Sequence, residues 1–305
     1  GLAVSVLVVG SVALDSIETP KAKRQDLLGG SATHFSLAAA LFAPVRLVGV
    51  VGEDFPEAHA KFLESRGVDL AGLERRKGGK TFRWSGRYLA GMNQRETLAL
   101  ELNVFESFDP KIPPAWRDTP FVFLANGSHK LQRNVLESIP GRRIAFADTM
   151  NHWILSERDT LLSLLPVIDG LFVNEEEAKL LSGEDNLVLA GKRILGLGAK
   201  RVVLKKGDHG VLLFADGDVA ALPAFPLESV EDPTGAGDAF AGAFVGTLAK
   251  RGGARLADLK RAAAAASVVA SFAVEGFGVE GLAGLTMERV RERLERYRRM
   301  LSLGD

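Results

Sequence analysis

Short apolar runs rich in β-branched residues recur along this chain, and most are followed by a segment with helical spacing. That alternation leaves few folds open. Val4–Val9, Arg46–Val51, Phe121–Ala125, Arg143–Ala147, Gly170–Val173 and Arg201–Lys205 are the strand candidates. Ser31–Phe42, Pro56–Arg66, Leu131–Ser138, Ser156–Leu165, Glu175–Leu181 and Leu187–Leu195 are the helix candidates. Strands that alternate with helices predict a parallel sheet covered on both faces. A hairpin is expected at Val211–Phe214 and Val219–Leu222. Helices are then expected over Gly237–Lys250, Leu256–Ala273 and Met287–Met300.

Two segments depart from this rhythm. Asp15–Leu28 is polar, carries Pro20 and the string KAKR, and is expected on the surface. Lys80–Phe105 is strand-like, with a polar turn at Gly91–Arg95. Thr81, Phe82, Trp84 and Tyr88 favour strands there. This stretch predicts a small β element inserted into the α/β body.

Composition narrows the function classes. Lys+Arg 38 balances Asp+Glu 38, so no global field draws the chain to nucleic acid or an anionic membrane. Cysteine is absent, which excludes disulfides, thiolate zinc sites, iron–sulfur clusters and cysteine nucleophiles. The most apolar stretches, Leu2–Leu14 and Ala262–Val274, are shorter than the roughly 20 residues of a membrane span, and the first lacks a basic leader. A soluble, cytoplasmic protein is expected. At about 150 residues per domain, 305 residues make two domains or one large α/β domain.

The chemistry concentrates in Glu231–Gly242, EDPTGAGDAFAG. Asp232-Pro233 ends an extended run, and Gly235-Ala236-Gly237 is a flexible turn leading into an apolar helix. A helix start exposes unpaired N–H groups and the positive end of the macrodipole, and flanking glycines let an anion approach them. Asp238 then sits at the mouth of the same site, where a carboxylate can take a proton from a hydroxyl that attacks phosphorus. A bare GxGD would carry less, since glycines make turns and an acid favours a helix start.

DPTGAGDAFAGAF closely resembles the C-terminal signature of the ribokinase-like (PfkB) carbohydrate kinases. Other segments agree in order. GSVALD ends at Asp15 and resembles the N-terminal strand whose aspartate binds substrate hydroxyls. Gly29–Phe42 resembles the first signature, with Gly29, Gly30 and His34 on the substrate side. Asn174-Glu175-Glu176-Glu177 resembles N-x-x-E, placing Asn174 and Glu177 near magnesium and the phosphates. Lys206-Gly207-Asp208-His209-Gly210 resembles K-G-x-x-G, placing Lys206, Gly207 and Gly210 beside the nucleotide.

The resemblance implies one three-layer, doubly wound α/β domain over 1–305, with a discontinuous β lid near 15–28 and 80–105. It implies an ATP-dependent kinase that phosphorylates an alcohol of a small sugar. Asp238 is the implied base, and the N–H groups of Gly235, Ala236 and Gly237 the implied anion hole. Mg2+ is implied near Glu177, through water, and K+ at Asp232 and Thr234 as in some members. The lid excludes water that would compete as acceptor. Its exposed strands invite pairing into a homodimer.

His34 stands where the family often carries asparagine. It can bond a substrate hydroxyl or serve its own helix. Asn126 ends a strand at a sheet edge and reads first as a turn former before Gly127. Gly276–Gly281 (GFGVEG) matches a dinucleotide fingerprint, yet follows a helical run rather than a strand, so it reads as a loop. No Walker A string or G-x-S-x-G occurs, and the five histidines lack zinc-site spacing. Two alternatives stay open. One is a nucleoside kinase of the same fold, with Phe35, Phe82 and Trp84 as stacking surfaces. The other is a catalytically silent nucleotide- or sugar-binding regulatory protein.

Overall fold

The computed structural model describes residues 4–92 and 94–304. Asn93 of the expected Gly91–Arg95 turn and the first residues of the Leu2–Leu14 stretch lie outside them. The chain opens with β1 (Val6–Val9), β2 (Ala13–Glu18), β3 (Lys23–Gly29), α1 (Ser31–Ala39), β4 (Val45–Gly52), α2 (Glu57–Ser65), β5 (Val68–Arg76), β6 (Phe82–Tyr88) and β7 (Arg95–Glu101). Next come β8 (Phe121–Leu124), α3 (His129–Glu137), β9 (Ile144–Ala147), α4 (Asn151–Ser156), α5 (Arg158–Leu164), β10 (Gly170–Asn174), α6 (Glu175–Ser182), α7 (Leu187–Gly196) and β11 (Val202–Lys205). It closes with β12 (Val211–Ala215), β13 (Asp218–Leu222), α8 (Ala236–Arg251), α9 (Leu256–Ala273), α10 (Glu280–Ala283) and α11 (Met287–Leu301).

Nine strands form one sheet in the order β13-β12-β11-β10-β9-β8-β1-β4-β5. The run from β11 to β5 is parallel, and β12 and β13 add an antiparallel hairpin at one edge. Alternate residues of the central strands enter opposite cores. Val6, Val8, Phe123, Phe146 and Phe172 pack on one face with α1, α8 and α9. Leu7, Val9, Val122, Leu124, Leu171 and Val173 pack on the other with α3, α5, α6 and α7. This is the helix–sheet–helix layering the apolar runs demand.

β1 is flanked by β4 on one side and β8 on the other, so the winding direction reverses there. Such a reversal opens a crevice at the carboxyl ends of the strands. The remaining strands form a separate four-stranded sheet, β3-β2-β6-β7, the β lid. Its inner side is not the solvated surface that the polarity of Asp15–Leu28 suggests. Asp15, Ile17, Thr19 and Leu28 are buried. Ile17, Tyr88 and Phe277 make a small core beneath the lid with Leu27 and Trp84.

Two further features differ from expectation. β5 is an additional edge strand whose solvated face breaks the apolar run. Ser156–Leu165 is not one helix. α4 ends at Ser156 and α5 begins at Arg158, with the Glu157 backbone at φ −129° between them and its carboxylate accepting from Ser128 Oγ and Lys130 N–H at the start of α3. The Gly276–Gly281 loop packs under the lid, with Gly278 against Leu27. Among the described residues, no helix is long and apolar enough to cross a membrane.

Candidate active site

The crevice is lined from three directions: the lid root, the amino end of α8, and the carboxyl ends of β9, β10 and β11. At the lid root, β3 pairs with β2 so that Gly29 lies opposite Ala13. A Cβ on Gly29 would fall on the Asp15 carboxylate, and one on Gly30, whose φ is 98°, would strike the Ser11 carbonyl. The Gly-Gly pair is therefore the space that Asp15 occupies. Asp15 is only 4% exposed. Burial, aided by the charges of Asp232 and Asp238, raises its pKa from 3.8 to about 7, against the pull of His34 and the Gly30 N–H.

His34 serves its helix with one nitrogen and leaves the other to the crevice. Nδ1 lies 3.0 Å from the Gly30 carbonyl, which fixes it as the donor and leaves Nε2 an acceptor. The residue is 2% exposed and Nε2 has no partner among the described residues. An orphaned buried acceptor is costly unless a ligand hydroxyl supplies its donor. The ring lies so close to Gly235 that any side chain there would enter it.

Gly235, at φ 77°, is the left-handed N-cap of α8 and provides no side-chain cap. The Ala236 N–H donates to the Pro233 carbonyl at 3.2 Å, closing the turn. This narrows the expected anion hole, because an amide used by the turn is not offered to a ligand. Among the described residues, the N–H groups of Gly235 and Gly237 have no protein acceptor. Asp238 follows in the first helical turn. Burial and the charge of Asp148 push its carboxyl up, while His34, Lys205 and the lid residue Arg95 draw it down. The aspartate thus faces the crevice.

Asn174 and Glu177 form a reciprocal cap on α6. Asn174 Oδ1 accepts from Glu177 N–H at 2.8 Å, and Glu177 Oε2 accepts from Asn174 N–H at 3.3 Å. Glu177 is buried, and its pKa is raised to about 7 by burial and then by Asp148, against Lys205. Lys206 begins the turn after β11, its N–H donating to the Gly210 carbonyl at 2.7 Å. Gly210 has φ 100° and a Cβ there would strike the Leu222 carbonyl, so the turn needs its glycine. Gly207, φ 58°, is exposed at its tip.

Asp232 is fully buried and holds the loop together. Its Oδ1 accepts from Thr234 N–H at 2.9 Å and its Oδ2 from Gly278 N–H at 2.8 Å. Thr234 Oγ1 donates to the hydroxyl of Tyr88 on the lid at 2.9 Å, and Lys21 pairs with Glu231 at 2.9 Å. The lid is therefore latched onto the loop that leads to Asp238.

Sequence reasoning missed Asp148 and Lys205. Asp148 follows β9, and Lys205 ends β11 with its Nζ 5.8 Å from the Phe172 ring centroid. Their signal was present: a charged residue closing an apolar strand of a parallel sheet stands at the ligand edge. Asp148 is held by a buried network. Gln132 Nε2 donates to the carbonyls of Ala125 at 3.1 Å and Asp148 at 3.0 Å, and its Oε1 meets His129 Nδ1 at 2.7 Å. Asn126 does more than turn. Its Nδ2 lies 3.0 Å from Met150 Sδ, and its buried Oδ1 has no partner among the described residues. Phe35 is core, stacked on Phe123 at 4.4 Å, and Phe82 stacks on Phe105 at 5.3 Å. Neither is a free stacking surface.

The described residues contain no group of three or more His, Cys, Asp or Glu able to cage a metal by themselves. Glu177, on which the charge of Asp148 acts, would suit instead a magnesium ion held through water, which would supply positive charge there.

Comparison with known proteins agrees with this geometry. Residues 144–282 match the family described as pfkB family carbohydrate kinase. The chain is 31% identical over 246 residues to the cytidine kinase of Thermococcus kodakarensis, covering 79% of this chain and 87% of the relative. It is 28% identical over 311 residues to the ribokinase of Bacillus subtilis, covering 91% and 95%. The solved structure of the Methanocaldococcus jannaschii nucleoside kinase superposes with a TM-score of 0.77 over 96% of this chain and 98% of that one, at 20% identity, which speaks for the fold. The chain belongs to the pfkB family of carbohydrate kinases and is an ATP-dependent kinase.

Proposed function

We propose that the protein transfers the γ-phosphoryl group of ATP to a hydroxyl of a small sugar. The observation that carries this reading is the convergence, at one crevice, of the buried carboxyl of Asp15 and the half-buried carboxyl of Asp238 with the open amides of Gly235 and Gly237. Asp15 and the free Nε2 of His34 orient the acceptor by its hydroxyls. Asp238 takes the proton of the attacking hydroxyl, and the amides receive the charge of the phosphoryl group in flight. The latched lid keeps water from acting as acceptor.

Magnesium bound beside Glu177, with Asp148 close by, would neutralise phosphate charge. A monovalent cation beside Asp232 and Thr234 would use the lone pairs left on carboxylate oxygens that already hold two amides. Asn174 and the Lys206–Gly210 turn are assigned to the nucleotide. We assign the protein to the cytoplasm, since a chain without cysteine suits a reducing compartment. We also assign a homodimer to the lid, where β7 is an exposed edge strand carrying Leu98 and Leu100.

A second reading makes the sugar part of a nucleoside. The cytidine kinase relative favours it. So does Trp84, which stands opposite Asp15 in the β2–β6 pair with Arg95 over its ring at 5.3 Å. A panel of free pentoses, hexoses and nucleosides, followed by ADP release, tests both. Turnover on sugars alone eliminates the nucleoside, and turnover on nucleosides alone eliminates the free sugar. A protein that transfers to none is the silent regulatory alternative.

A further inference from the structure

Lys205 is a cation in a crowd of acids, and among the described residues it has neither an ion pair nor a hydrogen bond. It is the last residue of β11 and is half-buried, with its Nζ 5.8 Å from the Phe172 ring centroid. Asp148, Glu177 and Asp238 all exert their charge on it, from the ends of β9 and β10 and the start of α8. Yet among the described residues no carboxylate oxygen comes within 4.0 Å of its Nζ, and no hydrogen bond satisfies it. An ammonium carries three donors. A lysine placed for stability alone would close onto one of those acids.

The open direction is set by Gly237. A Cβ built there would stand 3.3 Å from Nζ, so the ammonium overhangs the amino end of α8 beside the unpaired amides. Any larger residue at 237 would come between them. The three carboxylates, Asp148 foremost, favour the charged amine, and its donors are left for an anion at the helix tip.

We propose that Lys205 is a catalytic residue: its ammonium grips the phosphoryl group in transit against the Gly235 and Gly237 amides. This rests on the kinase reading above. In the step, the bond from the γ-phosphorus to the β,γ-bridging oxygen breaks and its electron pair leaves with ADP. The acceptor oxygen bonds to phosphorus and its proton passes to Asp238. Lys205 neither gains nor loses a proton. It supplies positive charge where the equatorial oxygens carry most negative charge, which favours the transition state over the ground state. It also shields those oxygens from Asp148 and Glu177.

The test uses the intact protein with an acceptor that the wild type turns over. Lys205→Met should lower kcat by roughly 10²–10³, the cost of removing one preorganised donor, with acceptor KM within about threefold. Lys205→Arg, which keeps the charge, should exceed the methionine variant at least about tenfold. In Lys205→Ala, added methylammonium should restore kcat saturably by at least about tenfold, a rescue that requires a folded protein and that a structural lysine would not show. A methionine variant within tenfold of wild type overturns the proposal. So does a large loss that neither arginine nor methylammonium relieves. A wild type inactive on every acceptor instead overturns the kinase–acceptor reading beneath it.

Discussion

Replacing Asp15 by asparagine should make the protein more stable at neutral pH while weakening its hold on the acceptor. The carboxyl is buried beside Asp232 and Asp238, and its pKa rises from 3.8 to about 7. At about 1.36 kcal/mol for each pH unit, the charged form is disfavoured by about 4 kcal/mol on folding. The sign follows from proton counting. Between pH 4 and 7 the folded protein binds more protons at this site than the unfolded chain, so its stability falls as pH rises. Above pH 7 the whole cost is present. Asparagine has no such term. From pH 5 to pH 8 the stability gap between Asp15→Asn and wild type should therefore widen by about 2–3 kcal/mol in favour of the variant, since two pH units separate pH 5 from the folded pKa. Urea unfolding at the two pH values measures it. The same variant should raise acceptor KM by about 10–100-fold, the usual loss when a charged hydrogen-bond partner is removed. A gap equal at both pH values would refute the claim that burial strains this carboxyl. An unchanged acceptor KM would refute its role in binding.

Three other outcomes are expected. Asp238→Asn should lower kcat by roughly 10²–10⁴ with ATP affinity retained, read by ADP release and nucleotide titration, and near-normal turnover would remove it as the base. Gly235→Ala forces a left-handed residue costing about 1–2 kcal/mol and drives a methyl group into the His34 ring, so both the melting temperature and kcat/KM should fall. Retained activity would mean that the ring moves freely. Gln132→Leu leaves the Ala125 and Asp148 carbonyls without their buried donor, which should cost about 1–3 kcal/mol in chemical denaturation and lower kcat through a displaced Asp148. An unchanged kcat in the folded variant would separate the network from catalysis.

The sheet was legible because its strands are short, apolar and buried on both faces, so each announced itself locally. β5 was not, since an edge strand with one wet face reads Val-Asp-Leu-Ala-Gly-Leu-Glu-Arg-Arg and matches neither period cleanly. The burial of the lid's inner face was invisible for a different reason. Asp15 and Ile17 are covered by Tyr88, Phe277 and the Asp232 loop, residues far apart in sequence. Lys205 was read only as the end of a strand, and Asp148 was not singled out at all. What brings them together is that β9, β10 and β11 are neighbours, and that adjacency belongs to the sheet rather than to any segment.

The string from Asp232 to Gly246 shows why one short motif was so informative. Its letters answer to separate physical demands. Asp232 ties two loops together through both carboxylate oxygens, and Thr234 latches the lid. Gly235 makes room for His34, and Gly237 lets the Lys205 ammonium overhang the helix tip. Gly242 and Gly246 face the α1 backbone at Phe35 and Ala39, where a side chain at 242 would strike the Phe35 carbonyl and one at 246 would stand 3.0 Å from that of Ala39. That close approach of α1 and α8 sets the distance between His34 and Asp238, the two residues to which the proposed mechanism gives the acceptor's hydroxyl and its proton. A turn alone needs one glycine. A turn that must also admit an imidazole, an ammonium, a phosphate and a second helix needs glycine at each of these places, which is why chance seldom writes it.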